Sequence, residues 1–173
     1  MTSLKRDDKK SPGTYFEILA GHLFAREFGV NPVRSIEVLG QDLRAKLPTD
    51  NIFDLGQRKA KIHAPVKIST RERVIQVWAH QRVLDGVYGQ GRYKGVLVIL
   101  TETKRSEETR EVVEICLPDQ WTVYQMHIAQ LHRIYYLDLP KKYAELGQNF
   151  PRISVKPLGE FFFEKEALLG PEK

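Results

Sequence analysis

The stretch VKISTRERVIQVWAHQ, Val66 to Gln81, joins an apolar run to a helix-like pattern through a dense polar junction. Before it, KIHAPVKIS reads as a strand ending near Lys67. After it, Val74, Val77, Trp78, Gln81 and Leu84 recur at steps of three and four, so they share one face of a helix. Ser69 followed by Glu72 matches a capping box and predicts the helix start there. Working outward, TYFEILAGHLFAREFG is an amphipathic helix closed by Gly29, with an apolar side at Tyr15, Phe16, Leu19, Ala20, Leu23 and Phe24. RSIEVLG reads as a strand and NIFDLG as a short strand or turn. VLVIL reads as a buried strand, and EVVEICLP as another, antiparallel to it across TETKRSEETR. DQWTVYQMHIAQLH is helical, RIYYLDL is a strand ended by Pro140, and the remainder supplies short peripheral helices and one further strand. The order α, β, β, β, α, β, β, α, β predicts an α/β fold with a mixed central sheet flanked by helices.

The 173 residues suit one domain with a real core. Residues 1–12 read as a loose, charged tail and 13–173 as a single domain. With 42% hydrophobic residues the chain is neither disordered nor fibrous. A net charge of +5 suits an anionic partner such as nucleic acid without requiring one. Cys116 is the only cysteine, which excludes an internal disulfide and a cysteine-based zinc site and fits a reducing cytoplasm. No apolar run approaches the roughly 18 residues of a membrane span.

The junction itself carries the chemistry. A helix start presents free N–H groups and partial positive charge, and Lys67, Arg71 and Arg73 add formal charge, so a phosphate is attracted. Taken alone, the same charges also suit a solvated helix start. Glu72, between the two arginines, can hold one guanidinium by a charge-assisted bond, and a fixed guanidinium can face guanine in the major groove. Upstream, Asp54 can converge with Lys67 at one end of a sheet, with Asp50 as a second candidate. A carboxylate holding Mg²⁺ beside a lysine that orients water suits a phosphodiesterase. The glycine-rich GQGRYKG places Arg92 and Lys94 on a basic loop able to close on a DNA backbone, though it serves equally as a helix-to-strand connection.

Asp54 and Lys67 followed by ISTRERVIQ resemble the nuclease core of the PD-(D/E)XK superfamily. More narrowly, the pattern is similar to type II restriction endonucleases that cut CCGG, CCNGG or CCWGG sites. In that group the catalytic lysine ends a strand, and a Ser/Thr-containing turn leads to an arginine–acid–arginine element, here Lys67-Ile-Ser-Thr-Arg71-Glu72-Arg73. The resemblance spans residues 13–102. It implies a restriction-endonuclease-like core, Mg²⁺-dependent cleavage of double-stranded DNA leaving 5′-phosphate ends, and a homodimer on a palindromic site. It further implies that Asp54 and Lys67 are catalytic, that Arg71, Glu72 and Arg73 read C·G pairs, and that Glu17 supports the metal. The superfamily acid two residues before the lysine is Pro65 here. Where the CCGG-type group moves that acid onto the next helix, this chain has His80 and Gln81. Gln81 can offer Mg²⁺ a neutral oxygen beside Asp54, and His80 a proton-carrying ring. These departures keep a DNA-binding module with a decayed nuclease site open as an alternative, together with a repair nuclease of the same superfamily.

Overall fold

A computed structural model of the chain describes residues 11–39, 44–57, 59–71, 73–113, 118–144 and 154–170. In chain order these form α1 (Ser11–Phe28), β1 (Val33–Leu39), β2 (Arg44–Phe53), β3 (Lys61–His63), β4 (Val66–Lys67), α2 (Ile75–Tyr88) and β5 (Tyr93–Ile99). There follow α3 (Pro118–His127), β6 (Leu131–Tyr136), α4 (Lys141–Ala144), β7 (Val155–Pro157), a 3₁₀ turn (Leu158–Glu160) and α5 (Phe161–Leu169).

The strands make one mixed sheet in the order β1-β2-β3-β5-β6-β7, with β4 also paired to β5. β2 runs antiparallel to both of its neighbours, β1 and β3, whereas β3, β4, β6 and β7 join through parallel pairings around β5 and β6. The apolar run in β5 decides the layering. Side chains alternate across a sheet, so Val96 and Val98 enter one core while Leu97 and Ile99 enter the other. The first core is closed by α1 and α5, where the rings of Phe24 and Phe161 stack at 4.1 Å. The second is closed by α2 and α3, where Trp78 and Trp121 pack at 6.0 Å and Trp121 stacks on Tyr143 at 4.7 Å.

Two local features aim the sheet's end. Pro65 lacks an N–H and separates β3 from β4, yet both pieces keep one register on β5: His63 pairs with Gly95 and Val66 with Val98. In α1, a Cβ added at Gly21 would stand 2.8 Å from Asn51 Oδ1. The missing side chain therefore lets α1 lie close on β2, one helical turn beyond Glu17.

The sequence reading departs from the structure in several elements: Leu131 and His132, read as the end of a helix, belong to β6, and Lys94, read as loop, to β5. Ser11 and Pro12, read as tail, already belong to α1. β2 begins well before NIF, at Arg44. α2 begins at Ile75 with Val74 at its N-cap and no side-chain cap bond, so the capping box at Ser69 does not form. Of the strand expected over EVVEICLP, residues 111–113 make only an isolated bridge, Arg105 with Val112, and 114–117 lie outside the described residues. Among the described residues, no helix is long and apolar enough to cross a membrane.

The stacked Phe24 side chain is fully buried between α5 and β2. Phe24→Ala should lower unfolding free energy by about 3–5 kcal/mol, the usual cost of an aromatic cavity, read as a shifted urea midpoint with unchanged slope.

Candidate active site

Lys67 ends β4 beside the C-terminal end of β5. Because β2 runs antiparallel to β3, the start of its NIF segment, not its end, lies on the Lys67 side of the sheet. Asp50 stands there. Its Oδ2 accepts the Val66 N–H at 2.7 Å and lies 3.9 Å from Lys67 Nζ. Glu17 comes from α1, which Gly21 brings onto β2. Its pKa is raised, first by burial and then by the charge of Asp50, while Arg34 at 3.5 Å and Lys67 pull it down. Asp50, Lys67 and Glu17 therefore act on one another electrostatically at one end of the sheet.

The opposite side of this site is supplied by β3 and α2. A small cavity is lined by Asp50, Lys67, His63 and His80, among others. The His80 pKa is lowered by burial and then by Lys67, with Asp50 opposing. Gln81, one residue on, does not reach the cavity. Its Nε2 donates to Tyr93 O at 2.8 Å and Asp85 Oδ1 at 2.9 Å, and its Oε1 meets His63 Nδ1 at 3.1 Å. The geometry thus assigns Gln81 to holding His63 rather than to a metal. Burial pushes the fully buried His63 down to about 4.

Arg71 and Arg73 lie ahead of α2, not on its first turn. Arg71 and Arg73 are exposed, and Glu72 lies outside the described residues. Arg71 lines an open pocket of about 580 Å³ with Lys67, Ser69 and Thr103. Thr70 anchors the loop: its N–H and Oγ1 both donate to Glu102 Oε1, at 3.3 and 2.7 Å, and that oxygen also accepts from Tyr136 at 2.8 Å. Arg73 has φ +54°, a left-handed backbone uncommon for a side chain of this size.

Three residues expected at the site stand elsewhere. Asp54 follows β2 at its far end, bound to Lys61 at 2.6 Å and to the Gly56 N–H at 3.1 Å. That salt bridge and then the Gly56 bond lower its pKa. Lys61 pairs with Tyr93 and Lys67 with Ile99, which separates the two ends by about 20 Å of strand. Asp54 is a turn acid there. Arg92 sits at that same end and donates to Gln57 O at 3.3 Å. Lys94 donates to Leu168 O at 2.7 Å and Gly170 O at 3.1 Å, closing the C-terminus of α5. His63 and Glu102 escaped the sequence reading. His63 had a signal, since residues 63, 65 and 67 alternate onto one side of a strand.

No protein-family model matches the sequence, and no curated protein matches it. Among solved structures, the type IIP restriction endonuclease Kpn2I matches with a TM-score of 0.70 and 27% identity, over 91% of this chain and 55% of that one. The fold is that of a restriction endonuclease. The chain spans about half the length of that neighbour.

The buried, neutral His63 makes native stability depend on pH. Between its ordinary value of 6.5 and about 4, the unfolded chain binds a proton that the folded one does not, so stability falls as the pH falls through this window. His132, pushed down to about 4 mainly by burial, acts the same way. Comparing the wild type with His63→Gln cancels that second contribution. From pH 7 to pH 4 the wild type should lose on the order of 3 kcal/mol more than the variant in urea unfolding.

Proposed function

We propose that this chain is a type II restriction endonuclease that hydrolyses DNA phosphodiesters with Mg²⁺ at a C·G-containing site of the CCGG or CCNGG kind. One observation carries the reading: on a restriction-endonuclease fold, Lys67 stands 3.9 Å from the Asp50 carboxylate at the end of a strand that leads straight into an arginine-rich loop.

Among the described residues, no group of three or more His, Cys, Asp or Glu side chains is arranged to hold a metal. Mg²⁺ needs fewer, being commonly held by one or two carboxylates together with substrate phosphate and water. Asp50 and Glu17 fit that requirement, since the charge of Asp50 already raises Glu17 and a cation between them relieves the repulsion. They replace Asp54 and Gln81 as the candidate ligands. Bound there, the ion supplies Lewis-acid polarisation of the phosphate.

The residues of the chain do the rest. The Lys67 ammonium orients the attacking water and offsets charge on the phosphate. Water forms the new P–O bond and gives up a proton to solvent, the P–O3′ bond breaks, and the 3′-oxygen takes a proton from solvent. His80, half-buried beside Lys67, suits a proton carrier or phosphate contact. Arg71 and Arg73, with Glu72 between them, suit bidentate reading of guanine. A twofold homodimer places one such site on each strand of a palindrome. The alternative is a DNA-binding module without nuclease activity. Pro65 in the acid position, and Gln81 held by Tyr93 and Asp85, favour it.

Incubation with a plasmid of known sequence, with and without Mg²⁺, separates the two. Discrete fragments ending at C·G-rich sites support the endonuclease, whereas salt-sensitive binding with no cutting supports the module. Asp50→Ala and Lys67→Ala should each abolish cutting while binding persists, and Asp54→Ala should cut like the wild type. Arg73→Ala should lose sequence preference, at a cost of about 1–3 kcal/mol for one lost bidentate contact. Cutting by Asp50→Ala at the wild-type rate removes Asp50 from the site.

A further inference from the structure

Two buried polar atoms without hydrogen-bond partners, Thr49 Oγ1 and His63 Nε2, belong to side chains that line the same cavity. That cavity, of about 30 Å³, also touches Asp50, Lys67 and His80. A water needs about 10–15 Å³ measured this way, and two to four polar partners, so the space suits one.

The protonation of His63 follows from its neighbours. Gln81 Nε2 donates to both Tyr93 O and Asp85 Oδ1, which fixes the amide orientation and leaves Oε1 as an acceptor. The His63 Nδ1 facing that oxygen at 3.1 Å must therefore carry the proton. Nε2 is then a bare lone pair.

We propose that Thr49 and His63 hold a water molecule in this cavity beside Lys67 and Asp50, and that this water is the nucleophile of the nuclease reaction. The role as nucleophile rests on the endonuclease reading; the water site does not. Water has two protons to donate and two lone pairs. Nε2 can only accept, Lys67 can only donate, and the Thr49 hydroxyl does either; with Nε2 and Thr49 taking the two protons and Lys67 one lone pair, the second lone pair is left for phosphorus. His63 supplies the lone pair that Pro65, which lines the same cavity, cannot.

Asn and Gln at position 63 separate the two ring nitrogens. His63→Asn keeps a donor for Gln81 and removes Nε2; His63→Gln reaches the Nε2 position. Thr49→Val removes the hydroxyl at constant volume, and Thr49→Ser restores it. His63→Asn and Thr49→Val should slow single-turnover cleavage by about 10²-fold, the scale of a misplaced reactant, with DNA affinity unchanged. His63→Gln and Thr49→Ser should recover part of the rate. A merely structural role moves folding and affinity and gives no such split.

Independently of activity, ¹⁵N NMR of the free protein should show His63 protonated at Nδ1, and a high-resolution crystal structure should show water within hydrogen-bond distance of Nε2 and Thr49 Oγ1. A dry cavity, or a proton on Nε2, overturns the proposal whether or not the protein cuts. A wild type that cuts, with His63→Asn and Thr49→Val at full rate, overturns the nucleophile assignment and leaves the endonuclease reading intact. Ordered water in a wild type that does not cut upholds the site and overturns the endonuclease reading.

Discussion

The bond from the Val66 N–H to Asp50 Oδ2, 2.7 Å long, sets the geometry on which the rest of the site depends. Pro65 interrupts the strand just before Val66 and removes a ladder donor. The carboxylate of the neighbouring strand takes up the next N–H instead. A bond from backbone to an ionised acceptor contributes about 1.5–3 kcal/mol, and here it also fixes a distance. Asp50 is tied to the residue adjoining Lys67, so the spacing of acid and lysine follows from the sheet rather than from two flexible side chains. The proline that interrupts the strand is thus part of what brings this acid to the lysine.

The site draws on both faces of the sheet. Glu17 arrives from α1, whose Phe16, Ala20 and Phe24 pack into one core. His80 arrives from α2, whose Val77 and Trp78 pack into the other. Each helix is thereby held by a large apolar face and contributes one ionisable group at the sheet's end. His63 is fully buried beneath α2, and Gln81 is buried on the inward face of that helix. Gly21 and Gly95 have a common use, because each leaves room for the polar end of an amide side chain, Asn51 in one case and Gln81 in the other.

How much of this was legible depended on the range of the interaction. The helical spacing of Phe16, Ala20 and Phe24, and the continuous apolar run of β5, are local signals, and both elements formed around them, with α1 starting earlier, at Ser11, and β5 at Tyr93. β2 was only half legible, because Ala45, Lys46 and Pro48 are exposed in its hairpin with β1 and carry no apolar alternation. Asp54 attracted attention by its distance from Lys67 along the chain, which does not encode strand direction. Treating NIF as antiparallel to KIH puts Asp50 at the lysine's end and Asp54 at the other. The capping box failed for a long-range reason: Thr70 is drawn to Glu102, thirty-two residues on, and that anchor holds the junction as a loop until Ile75. No local rule contains that contact.

The same anchor explains how the strained backbone at Arg73 persists. A left-handed conformation at a residue with a long side chain costs on the order of 1–3 kcal/mol and survives only where its flanks over-determine it. One flank is Thr70, gripped through both its N–H and its hydroxyl by the buried Glu102. The other is the first turn of α2, where the Gln76 N–H donates to Arg73 O at 3.0 Å while Val77 and Trp78 sit in the core. Between two fixed ends, the short loop turns Arg71 and Arg73 outward to solvent. The groups suited to chemistry are positioned by strand pairing and the Asp50–Val66 bond, and the groups suited to reading bases by Glu102 and α2. Lys67 is where the two frameworks meet, which couples the position of the arginine loop to the Asp50–Lys67 pair.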